Sequence, residues 1–227
     1  MDNTHKKSTS SLFVNPESYG LGSIDKFDEY QFTVNWFECN IPQWMRIFQA
    51  IKPQRILEIG SFEGMSTCFL INTLTKHYEC QIHCVDSWQG GQEHTDLNMN
   101  DIEARFTHNI KKSCEAVKHN VNVHVHKGLT QEQLPKLLAA GGKNFFDFIY
   151  IDGSHEAPDV LFDAVLSFQL LRKGGIIAFD DYLWSNEKES LKRPKIAIDT
   201  FVNIFQNKVS ILSWMPVYQL YVQKTND

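Results

Sequence analysis

Three aspartates stand directly behind two apolar runs. Phe146 to Ile151 leads into Asp152-Gly153-Ser154-His155, and Gly175 to Phe179 leads into Asp180-Asp181-Tyr182. Like charges packed together are costly unless a cation or a proton intervenes. Hard divalent cations take oxygen ligands, and Mg²⁺ fills the rest of its octahedron with water or substrate oxygens. Asp152, Asp180 and Asp181 are therefore a candidate metal site, although each alone could be a helix cap or a turn residue. His155 follows Asp152 by three residues. If that offset is one helical turn, its ring can face the same cavity as the carboxylates. A histidine there is a candidate general base near neutral pH, with a metal ligand and a helix-start residue as the other readings.

A second group precedes it. Glu58-Ile-Gly60-Ser-Phe-Glu-Gly64-Met-Ser66 places two glycines four apart between a strand and a helix. Such a turn lets the backbone pass close to a ligand, and the helix N-terminus behind it offers unpaired N–H groups to an anion. It is neither the dinucleotide GxGxxG nor a phosphate loop. Asp86 ends the next strand, where a carboxylate suits a ribose diol; a turn or cap is its plainer reading. His124 and His126 share a strand face but alternate with Val121, Val123 and Val125, which describes a solvent-facing strand edge rather than a metal site.

The elements that must position these residues follow from periodicity. Strands are expected at 55–60, 81–86, 121–126, 146–151, 175–179, 209–214 and 217–222. Helices are expected at 35–51, 64–78, 102–118, 131–140, 157–171 and 195–205. Trp88 to Asn100 reads as a polar loop. Strand–helix alternation with near-continuous apolar strands means a parallel sheet covered on both faces. Met215-Pro216 makes the last two strands a hairpin and hence antiparallel. In such sheets ligands bind beyond the carboxyl ends of the strands, where the aspartates and the glycine turn fall. Three segments are expected: a flexible tail at 1–22, a helical segment at 23–54 packing on the main body, and a main domain at 55–227.

The chain has 227 residues, 42% of them hydrophobic, and a formal net charge of −5. That is ample for a core and excludes disorder in the bulk. The mild acidity argues against nucleic-acid binding. Five cysteines at irregular spacing, with no CxxC, fit reduced thiols. With neither a signal peptide nor a membrane span in the sequence, a soluble cytoplasmic protein is expected.

Ile56 to Gly64, Val85-Asp86, Phe146 to His155 and Leu171 to Tyr182, in that order and spacing, resemble the class I S-adenosylmethionine-dependent methyltransferases. Within them the chain is similar to the group with DGxH and DDY motifs, related to catechol-type and macrolide-sugar O-methyltransferases. The resemblance covers about residues 55–225. It implies an α/β, Rossmann-like, doubly wound seven-stranded sheet, mostly parallel with an antiparallel last strand and helices on both faces. It implies S-adenosylmethionine and a divalent metal, Mg²⁺ first, as cofactors. Gly60 and Gly64 would flank the methionine part, Glu58 would support that loop, Ser66 would lie where relatives hold the methionine carboxylate, and Asp86 would take the ribose hydroxyls. The cofactor set is completed by Ser61, Ser87 and Asp152. Asp152, Asp180 and Asp181 match metal positions; catechol-type enzymes have Asn in place of Asp181 and a lysine base in place of His155.

The reaction so implied is direct displacement at the sulfonium methyl, with the metal lowering the pKa of a substrate hydroxyl and His155, beside Asp152, removing its proton. The acceptor would be a small-molecule hydroxyl of a sugar, polyol or phenol. A metal-independent N- or protein methyltransferase and a non-catalytic cofactor-binding protein stay open, as does a homo-oligomer. Trp88 and Trp184 flank the expected mouth, as substrate walls or as packing on the body.

Overall fold

The structure is a computed structural model that describes residues 29–75, 77–91, 94, 97–117, 121–185, 187–215 and 218–227. The expected tail at 1–22, residues 23–28 of the helical segment, and Pro216 of the expected hairpin lie outside the described residues. Gln31–Asp227 form one compact unit.

Seven strands make one sheet: β1 (Arg55–Ile59), β2 (Cys80–Asp86), β3 (Val121–Lys127), β4 (Phe146–Ile151), β5 (Leu171–Phe179), β6 (Val209–Ile211) and β7 (Leu220–Lys224). Their order is β3-β2-β1-β4-β5-β7-β6. Neighbours are parallel except that β7 runs antiparallel to both β5 and β6. This is the expected α/β doubly wound sheet with an antiparallel last strand. β1 and β4 are adjacent at the reversal of strand order, the place where such sheets bind ligands.

The helices are α1 (Ile41–Ile51), α2 (Met65–Leu74), α3 (Met99–Ala116), α4 (Thr130–Leu137), α5 (Ala157–Leu170) and α6 (Pro194–Ile204). The first begins six residues later than its aromatic pattern suggested, because a 3₁₀ turn at Glu38–Asn40 precedes Pro42 at its start. Trp44 of α1 is fully buried against Phe37, Phe69, Phe148 and Tyr150. Truncating such a side chain costs about 3–5 kcal/mol, so α1 belongs to the core of this unit. On the opposite face, Leu57, Ile149, Ile151 and Ile177 pack against Val160, Phe168 and Phe201. No helix among the described residues is long and apolar enough to cross a membrane.

Candidate active site

Register brings the carboxyl ends together. Ile59 pairs with Ile151, and Ile151 with Phe179, so Gly60, Asp152 and Asp180 emerge side by side. They open onto a cavity of about 1550 Å³ lined also by Asp86, His155, Asp181 and Trp184. Segment 32–39 supplies a further wall with Phe32, Val34 and Trp36.

The turn after β1 is held by two carboxylates. Glu58 is completely buried and accepts hydrogen bonds from the hydroxyls of Ser61, at 2.7 Å, Ser66 and Thr67. Burial pushes its acid upward while the three hydroxyls pull it back. Ser66 therefore spends its proton on Glu58 instead of offering it outward as the sequence suggested, although it still borders the cavity. Asp86 accepts backbone N–H bonds from Ser61 (2.8 Å), Phe62 (2.9 Å) and Trp88 (2.7 Å). A carboxylate offers about four lone-pair sites. Three are in use, so one ribose hydroxyl fits without rearrangement where two were expected. Ser87 borders the same cavity and its hydroxyl accepts the Gln89 N–H at 3.2 Å.

Gly60 is required by its neighbour strand as much as by any ligand. Its φ is +83°, and a Cβ there would lie 2.1 Å from the Asp152 carbonyl oxygen. Gly64, at φ +81°, would drive a Cβ to 2.9 Å from the Phe106 ring. The close approach that the sequence assigned to a ligand is, at these two positions, made to protein.

The aspartates are arranged differently from that turn. Asp152 and Asp180 share one partner, the buried Tyr150 hydroxyl, which lies 2.8 Å from Asp152 Oδ2 and also contacts Asp180 Oδ2. A phenol has one proton, so it cannot donate to both carboxylates at once. Desolvation and neighbouring carboxylates push both acids up: Asp180 and Asp181 raise Asp152 well above the usual range, and Asp181 raises Asp180. Asp181 adopts φ +55° and turns away from the pair. Its Oδ2 lies 2.9 Å from His155 Nε2, and its Oδ1 accepts from the Tyr218 hydroxyl at 3.2 Å. Among the described residues no group of three or more His, Cys, Asp or Glu is gathered at metal-binding distances. The three aspartates thus share one rim but stand as a pair plus one.

His155 reaches this rim by a route other than the one expected. The helix begins only at Ala157, so residues 152–156 are a turn, not a helical turn. Ser154 shapes it, donating to Asp159 Oδ2 at 2.9 Å and accepting the Glu156 N–H at 3.0 Å. Trp184 lies against the His155 ring, centroids 4.4 Å apart, whereas Trp88 is buried on Phe106 and donates to the Phe62 carbonyl. The two tryptophans so divide between the two readings given above: one walls the site and one packs on the body.

Three contributors escaped the sequence reading. Tyr150 lies inside an apolar run and carries no signal of its own, yet its two-residue spacing from Asp152 puts both on one strand face. Gly128 to Gln131 line the cavity beyond β3, and the strand-end rule applied to β3 would have found them. Glu63, only 2% exposed, accepts from Thr33 N (2.6 Å), Thr33 Oγ1 (2.7 Å) and Arg105 Nε (2.6 Å). It fastens the wall segment to the glycine turn; a single acidic residue between two glycines carries no such signal.

Comparison with known proteins agrees with this geometry. The chain is 40% identical over 139 residues to a Dictyostelium discoideum protein named probable caffeoyl-CoA O-methyltransferase 3, a stretch covering 61% of this chain and 47% of that one. The chain spans about half the length of the curated relatives it matches. The O-methyltransferase TomG from Streptomyces achromogenes, solved in complex with SAM, shares the fold at a TM-score of 0.61 and 18% identity, covering 96% of this chain and 93% of that one. The MycE methyltransferase of mycinamycin biosynthesis, solved with Mg and SAH, shares it at 0.54 and 17%, covering 85% and 51%. Residues 57–182, from the middle of β1 to the tyrosine after the paired aspartates, match the family described as a methyltransferase domain. That match takes in more than half of the sequence and both groups of carboxylates, and the chain accordingly belongs to the methyltransferase domain family.

Proposed function

We propose that this chain transfers the methyl group of S-adenosylmethionine to a hydroxyl of a small molecule, assisted by a divalent cation such as Mg²⁺. The observation that carries the proposal is the His155–Asp181 pair standing at the same cavity as the glycine turn and the crowded Asp152–Asp180 pair. The cofactor fits the residues present: Asp86 keeps one lone-pair site for a ribose hydroxyl, and the turn from Ser61 to Gly64 with the start of α2 meets the methionine end.

The donor chemistry also fits a hard cation, since Asp152 and Asp180 are two crowded oxygen donors at the cavity that share one phenolic proton. They would hold the cation, with Asp181 staying on His155 instead of serving as the third ligand that the resemblance implies. A cation so held lowers the pKa of an acceptor hydroxyl. The protein's own work is proton transfer and positioning. His155, oriented by its 2.9 Å contact with Asp181, accepts the hydroxyl proton. Trp184, packed on that ring, and Trp36 across the cavity limit water and orient the acceptor.

The same His155–Asp181 pair supports a second reading, a metal-independent methyltransferase in which the dyad alone removes the proton. That all five cysteines are free supports work in a reducing compartment such as the cytoplasm. An acceptor screen with labelled S-adenosylmethionine, run with Mg²⁺ and with EDTA, separates the readings. Methylation lost in EDTA and restored by Mg²⁺ supports the first; methylation indifferent to EDTA supports the second; no methyl transfer to any hydroxyl acceptor rejects both.

A further inference from the structure

Away from the cavity, three histidines meet on one face of the sheet at its β2–β3 edge. His83 pairs in register with His124, and His126 lies two residues further along β3, so all three project to the same side. The His83 ring centroid is 4.5 Å from that of His124 and 5.1 Å from that of His126, on which it stacks. His83 Nδ1 and His126 Nε2 are 3.0 Å apart. Phe146 stands edge-on to His83 at 5.1 Å. Neither the glycine turn nor the carboxylate rim uses these rings.

The nitrogen–nitrogen distance points to a ligand. Two imidazole nitrogens on one ion, each at about 2.0–2.1 Å, stand about 2.8–3.0 Å apart at a right angle and about 3.3–3.4 Å apart at the tetrahedral angle. The His83–His126 hydrogen bond has the same N–N spacing, and opening it frees both lone pairs for one ion. Both rings are half-buried, and a neutral imidazole keeps one lone pair to give. His124 is exposed, and its ring can turn toward the pair without disturbing the core. The three rings are not yet gathered round one point; the site is a preformed pair completed by that rotation. Nitrogen donors of this kind suit Zn²⁺, Ni²⁺ or Cu²⁺ rather than Mg²⁺, which separates this site from the carboxylate rim.

We propose that His83, His124 and His126 bind one such borderline transition-metal ion and tie the edge strand β3 to β2. On binding, the proton shared between His83 Nδ1 and His126 Nε2 leaves that contact. Each ring then carries its single proton on the outer nitrogen, both inner lone pairs go to the metal, and the pair releases no net proton. The strands so joined are those whose ends carry Asp86 and the Gly128–Gln131 wall.

Calorimetric titration of Ni²⁺ into the full chain, with excess Mg²⁺ to occupy the carboxylate rim, tests the site. One Ni²⁺ per chain is expected. His124→Gln and His83→Gln should each weaken binding by more than the about 10-fold that loss of an outer-shell partner costs, while Asp180→Asn leaves it unchanged. No Ni²⁺ uptake by the wild type, or an unchanged affinity in His124→Gln, overturns the proposal. Because His124 is exposed, that variant keeps the fold and the result on it is decisive.

Discussion

Two groups of carboxylates stand at the ends of neighbouring strands, and the chain treats them in opposite ways. Around Glu58 and Asp86 the protein supplies six donors of its own, three hydroxyls and three backbone N–H groups. Around Asp152 and Asp180 it supplies the shared phenol and a single backbone N–H, from Asp181 to Asp180 Oδ1 at 2.9 Å, together with a third carboxylate on the same rim. The first group is architecture: it makes the shape of the turn independent of any ligand. The second is left short of positive charge, which is the electrostatic condition of a site that waits for a cation or a proton. A protein can afford such a rim only where the surrounding core is firm, and here Trp44 and Phe148 pack directly beneath Tyr150.

The sharpest way to break the comparison is at the proton acceptor. His155→Ala should lower turnover by about 10²–10⁴-fold with little change in cofactor affinity. Wild-type turnover should fall at acid pH as the ring takes a proton. Stopped assays across pH check both points, and a variant with full rate and the same acid limb removes His155 from the reaction.

Stability gives the next contrast, and the two carboxylate groups should move in opposite directions. Glu58→Ala leaves three buried hydroxyls without their acceptor and should cost about 3 kcal/mol or more. Asp180→Asn removes a repelling charge and should leave the melting point equal or higher while turnover is lost, the trade seen at strained functional sites. Thermal denaturation of both, with no metal added, decides it. A large loss of stability in Asp180→Asn would make the second group architecture as well.

Much of this arrangement was legible in the residues. The strand ends could be placed because Arg55–Ile59, Phe146–Ile151 and Gly175–Phe179 are apolar runs closed by Gly or Asp, and parallel register then forces their ends together. What those ends do to one another was not legible. Whether Asp181 joins Asp152 or turns to His155 depends on a single positive φ, and an Asp-Asp pair does not encode it. Tyr150 looks like core because it is core; only its hydroxyl reaches the aspartates. The wall segment was invisible for a related reason, since Thr33 and Glu63 are 30 residues apart and neither belongs to a motif.

A smaller effect sharpens the contrast from outside both groups. Asp163 on α5 is buried, its Oδ1 has no hydrogen-bond partner among the described residues, and burial pushes its acid up to about 7. Its folded state therefore holds the proton more tightly than the unfolded chain, where an aspartate titrates near 3.9. The penalty is absent below about pH 4, grows as pH rises and is complete above pH 7. Asp163→Asn should then add on the order of 1 kcal/mol at pH 8 and nothing at pH 4. Denaturant melts of both proteins at the two pH values would show it, and an equal gain at both would mean that titration is not the cause.

The proposed methyl transfer requires the glycine turn and Asp86 to form a ready-made seat for S-adenosylmethionine, so the most direct measurement is a calorimetric titration of that molecule into the wild-type chain and into Asp86→Ala. The expected result is one molecule per chain, with the variant weaker by roughly 1–3 kcal/mol, the cost of a lost buried hydrogen-bond acceptor. If the folded wild type takes up no S-adenosylmethionine, the cavity is not a cofactor site and the proposed methyl transfer is contradicted.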